Sequence, residues 1–73
     1  MKVKIRLDTT KDAKDFSNTC AFLPGRITVT DNNGLRINAK SLLGMLYALE
    51  FEELWCESER DIYTSISKFI VIE

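Results

Sequence analysis

Histidine is missing from the chain altogether, and that absence removes more chemistry than any other feature. No imidazole is present to serve as base, nucleophile or phosphoryl carrier near neutral pH, so Ser-His and Cys-His catalytic pairs are excluded by composition. Cysteine occurs only twice, too few for a disulfide framework and, with no histidine to help, too few for a metal site. With three glycines and one proline there is no glycine-rich loop to cradle a phosphate chain. No apolar run approaches the ~20 residues of a membrane span, and the first residues lack the apolar core of a signal peptide. Net charge is scarce as well. Ten Lys and Arg against eleven Asp and Glu leave −1, which argues against binding nucleic acid by neutralising its phosphates. The expectation is a cytoplasmic protein with reduced thiols, no cofactor, no metal, and neither membrane nor nucleic acid as partner.

What is present is the material of one small domain spanning residues 1–73, 45% hydrophobic and 29% charged. A chain this short buries only ~60% of its extended surface, so every apolar stripe is needed for the core.

Residues 2–7 alternate strictly, Val3, Ile5 and Leu7 against three cations, as a half-buried strand does. Cap residues Asp8, Thr9 and Thr10 precede a helix whose apolar face is Ala13, Phe16, Cys20 and Leu23, ending near Pro24-Gly25. Residues 26–30 form a second, β-branched strand, and Asp31-Asn32-Asn33-Gly34 turns the chain into a third strand. Ser41 caps a second helix running to about Leu49, in which Gly44 costs about 1 kcal/mol relative to alanine. Residues 54–57 read as a fourth strand. Ser58 with Asp61 then makes a capping arrangement for a last helix carrying Ile62, Ile66, Phe69 and Ile70 on one face. Cys20 and Cys56 fall on inward faces, where a free thiol acts as a small hydrophobe. The order is β-α-β-β-α-β-α. Each strand has a single apolar face, so all three helices are expected on one side of the sheet, an α+β open-faced sandwich.

The segment Asn33-Gly34 followed by Asn38-Ala39-Lys40-Ser41-Leu42-Leu43-Gly44-Met45-Leu46 closely resembles the region around the regulatory serine of HPr, the histidine-containing phosphocarrier family of the bacterial sugar phosphotransferase system. HPr proteins share this element order, with a four-stranded antiparallel sheet whose first and last strands are neighbours. That arrangement implies Lys4 and Arg6 opposite Glu53, Trp55 and Glu57 on the open face, with a cation over Trp55. The family's carrier histidine sits in a His-Ala-Arg-Pro segment. The matching residues here read Asp12-Ala13-Lys14-Asp15, with Asp12 at the histidine position and Lys14 at the arginine position.

The resemblance therefore implies a non-enzymatic regulatory or docking protein, phosphorylated at Ser41 and without histidine phosphocarrier activity. A phosphate would add about −1.5 to −2 charge there, beside the positive end of a helix dipole. Leu42, Leu43 and Leu46 cannot all point inward from so short a helix, and they match the family's exposed docking patch. The implied partners are an enzyme I-like protein, an HPr kinase or a transcriptional regulator, met by a monomer. Two alternatives stand beside this: an interaction module that kept the fold but lost phosphorylation, and a phosphocarrier using Asp12 as an unconventional acceptor. An RNA-binding sheet would call for several aromatics on the open face, and only Trp55 points there.

Overall fold

Strands with one apolar face and one charged face can bury only one side of a sheet, and this chain is built on that asymmetry. The computed structural model describes residues 1–31 and 33–72. In order, the elements are β1 (Lys2–Ile5), α1 (Thr10–Ala21), β2 (Ile27–Thr30), β3 (Arg36–Asn38), α2 (Leu42–Ala48), β4 (Leu54–Ser58) and a 3₁₀ turn at Ser67–Phe69. The strands form one antiparallel sheet, β1-β4-β2-β3, with first and last strands side by side. Ile5, Ile27, Val29, Leu54 and Cys56 supply its buried face; Ala13, Phe16 and Cys20 of α1 and Met45 and Ala48 of α2 cover it. The fold is the α+β open-faced sandwich expected. Asn32, one residue of the expected turn, lies outside the described residues.

The other face carries two rows read off the strand register: Lys4, Trp55, Thr30 and Arg36, then Lys2, Glu57, Thr28 and Asn38. Lys2 lies 3.6 Å from Glu57 and 5.6 Å from the Trp55 ring centre, and Lys4 lies 3.6 Å from Glu53. The expected charge pairing across β1 and β4 is thus present with a shift of partner. Lys2 takes Glu57, while Arg6 lies beyond the ladder and pairs with Asp8 at 3.3 Å. Arg36 bonds the same Glu57, and this hydrogen bond is the main reason its carboxyl titrates below the ordinary range.

The last helix is the largest departure from expectation. Its apolar residues Ile62, Ile66 and Phe69 are buried as predicted, but a single α-turn (Ile66 N–H to Ile62 C=O, 3.2 Å) and the 3₁₀ turn replace a regular helix. The cause is composition: Ile62, Thr64, Ser65, Ile66 and Ser67 are β-branched or hydroxyl residues that lose freedom in a helix or compete for its backbone. Ser58 is not its cap. It ends β4, and its hydroxyl donates to the Arg60 carbonyl, while Asp61 accepts from the Tyr63 N–H at 3.0 Å. Beyond the 3₁₀ turn the chain runs extended along β1, where Arg6 N–H donates to Phe69 C=O (2.8 Å) and Val71 N–H to Lys4 C=O (3.0 Å). Phe69 meets Phe16 edge-on at 5.1 Å, so this strap is anchored in the core. At the other junction, α1 ends at Ala21 with Phe22 as its C-cap, short of Pro24, and Leu23 packs on the core from the loop.

Gly44 explains its own presence. A Cβ there would stand 2.4 Å from Cγ2 of Ile37 on β3, so α2 approaches the sheet more closely than a methyl group allows. Gly44→Ala should therefore lower stability by about 1–3 kcal/mol in urea unfolding, although it improves helix propensity by about 1 kcal/mol. Adding Ile37→Ala should make the pair of substitutions cost less than the sum of the two.

Burial pushes the Cys20 thiol up to about 12 and the Cys56 thiol up to about 11, against an ordinary 9.0. Folded thiols thus hold their protons longer than unfolded ones. Their contribution is full below pH 9.0 and is lost as pH rises towards 11 to 12. A thiol reagent at pH 8 should leave both cysteines unmodified in the folded protein and modify both in denaturant, and unfolding should become easier above pH 9.0.

Candidate functional site

The segment joining β3 to α2 is fixed at every residue. Ala39 is fully buried and its N–H donates to Ile27 C=O (3.0 Å), extending the hairpin ladder by one bond. Asn38 Oδ1 accepts from Lys40 N–H (2.9 Å), and Asn38 C=O accepts from Ser41 N–H (3.0 Å), closing a tight turn. Ser41 then stands as the N-cap of α2 with extended backbone, its hydroxyl oxygen accepting from Gly44 N–H at 3.1 Å. The cap role expected of Ser41 is observed. Because Oγ is used as an acceptor, its own proton is not consumed by the cap, and the residue is partly exposed.

Lys40 does a job that no local pattern announces. Its ammonium donates to Leu23 C=O at 2.7 Å, just beyond α1, whose last turn has no basic residue of its own. A cation at that position satisfies a carbonyl and opposes the negative end of the helix dipole. It also ties the end of α1 to the start of α2.

Of the three leucines matched to a docking patch, Leu46 packs on the core while Leu42 and Leu43 are 42% and 80% exposed. Met45 and Ala48 are the residues of α2 that turn fully inward. Further apolar residues that sequence reasoning passed over stand out in water, among them Phe22, 90% exposed, and Tyr47, 58% exposed, the latter edge-on to Phe51 at 5.5 Å. The Lys40–Leu23 bond puts Phe22 at the same end of the helical layer as Ser41, Leu42 and Leu43. The available signal was positional, since Phe22 lies off the stripe of Ala13, Phe16 and Cys20.

Asp12 and Lys14 sit elsewhere. Asp12 is the third residue of α1 and completes a capping box: its N–H donates to Thr9 Oγ1 (3.1 Å), and its carboxylate accepts from Asp8 N–H (2.9 Å) and Thr9 N–H (3.3 Å). Lys14 is exposed on the same helix. α1 has 12 residues, so Asp12 and the Leu23 end are separated by most of a helix about 18 Å long. No hydrogen bond or ion pair joins Asp12 to Ser41 among the described residues. Among these residues no group of three or more His, Cys, Asp or Glu is arranged to hold a metal ion, and no helix is long and apolar enough to cross a membrane.

No family model, no curated protein and no solved structure matches this chain. The four-stranded antiparallel sheet and the two helices packed on it are consistent in a general way with an HPr-like topology.

The cap geometry can be tested separately from any function. Ser41→Ala should cost about 1 kcal/mol in chemical unfolding, and Ser41→Asp should restore most of it by accepting the same Gly44 N–H.

Proposed function

We propose that this protein is a non-enzymatic docking and regulatory module of HPr type, with Ser41 as its phosphoacceptor and Leu42, Leu43 and Leu46 as its contact surface. The observation that carries the reading is the pairing of a surface serine at a helix start with two exposed leucines directly after it. Phosphate on Ser41 would bring about −1.5 to −2 charge to a chain of net charge −1, altering which partners the adjacent leucines can meet. The partners of this reading are those of the phosphotransferase system: an enzyme I-like protein, an HPr kinase or a transcriptional regulator. Carriage of a phosphoryl group on histidine is ruled out by the sequence, which has none. Transfer to Asp12 is disfavoured because an acyl phosphate there would cost the carboxylate its place in the capping box.

Intact mass after exposure to each phosphoryl donor tests the proposal. ATP with an HPr kinase should add one phosphate, abolished by Ser41→Ala; phosphoenolpyruvate with enzyme I should add none. Phosphate appearing on Asp12 from enzyme I would overturn it. No reaction with either donor, together with unchanged partner binding by Ser41→Ala, would select a module that docks without phosphorylation.

A further inference from the structure

The cavities of this small protein differ sharply in charge. A cavity of about 520 Å³ sets Lys4 and Arg6 against Asp8, Glu52 and Glu53, and one of about 420 Å³ sets Arg6, Lys11 and Lys68 against Asp8, Asp12 and Asp15. Another of about 420 Å³ is lined by Asp31, Glu50, Glu52 and Glu53 with no cation. The groove at the β2–β3 end, about 300 Å³, is the reverse: Arg26, Arg36 and Lys40 line it with Thr28 and Asn38, and no carboxylate does. Three cations line this groove with no carboxylate among its walls; Arg36 is paired with Glu57 beside it, and Glu59 accepts from the Arg26 backbone N–H.

The donors there are not exhausted. The Arg26 guanidinium makes no ion pair among the described residues, only its backbone N–H being engaged, with Glu59 at 2.9 Å. Arg36 bonds Glu57 through one guanidinium nitrogen, leaving the rest of a five-donor fork. Lys40 gives one of three ammonium hydrogens to Leu23 C=O. Glu57 lies on the neighbouring surface with Arg26, Thr28 and Arg36, so it competes for Arg36 rather than filling the groove. Ile37, half-buried, adds some apolar surface at the edge of the groove.

We propose that this groove binds a small organic phosphate, its phosphate held by Arg26, Arg36 and Lys40 and its hydroxyls by Thr28 and Asn38. The site is distinct from Ser41 and does not require phosphorylation there. Paired planar donors suit a phosphate, and a cavity larger than the phosphate itself favours the ester over the free ion.

Amide and guanidinium NMR shifts, followed while glycerol 3-phosphate is added at constant ionic strength, test this directly. Saturable shifts should be confined to residues 25–28 and 36–40, with inorganic phosphate binding more weakly. Arg26→Gln or Arg36→Gln, both exposed residues, should weaken binding about tenfold, the effect of losing one charge-assisted hydrogen bond. Glu57→Gln should strengthen it by freeing Arg36. Shifts that do not saturate, that spread equally to Lys2, Lys11 and Lys68, or that survive both arginine substitutions would overturn the proposal, as would equal affinity for inorganic phosphate.

Discussion

The close approach of α2 to β3 governs the placement of Ser41 and of the leucines that follow it. With no Cβ at Gly44, the helix settles against Ile37, and the Gly44 N–H is brought to the Ser41 hydroxyl. Once the helix is seated that way, its rotation is decided. Met45 and Ala48 enter the core, Leu46 lies at its margin, and Leu42 and Leu43 face water. The serine and the exposed leucines are consequences of one packing constraint. A methyl group at residue 44 would disturb cap, rotation and surface together.

A sheet buried on one side needs few residues, which is how so short a chain reaches a stable arrangement. β4 lies between β1 and β2 and so joins the N-terminal strand to the hairpin. The chain after β4 then returns as a strap along the outer edge of β1, bringing Phe69 onto Phe16. This covers part of an edge that would otherwise present unpaired backbone groups. The opposite edge, β3, is only three residues long and carries Arg36, a short charged edge of the kind that discourages pairing with other chains.

How legible this was in the sequence differed by element, for physical reasons. Strict alternation at Val3, Ile5 and Leu7, and at Ile27 and Val29, specified the strands because burial on one face has no other period. The cap residues around Thr9 and the cap at Ser41 were readable because they are local, whereas the box that Asp12 completes with Thr9 was not read. The third helix was not, since the spacing of Ile62, Ile66 and Phe69 is satisfied equally by successive turns, and helix propensity decides between them. Lys40 was visible only as a motif residue. Its bond to Leu23 joins residues far apart in the chain, and no spacing rule announces a tertiary cap. Phe22 was legible only as a residue off the apolar stripe of α1.

Lys40 lies at the junction of two surfaces that the fold otherwise keeps apart. One is the end of the helical layer with Ser41, Leu42 and Leu43; the other is the cationic groove on the hairpin. A phosphate on Ser41 would stand next in sequence to a lysine that already serves α1 and lines that groove. Like charges repel, and salt weakens that repulsion. The two anions would therefore compete, the first lowering the positive potential that attracts the second. A chain with little net charge is well suited to such an effect, because a single dianion is large against the field it enters.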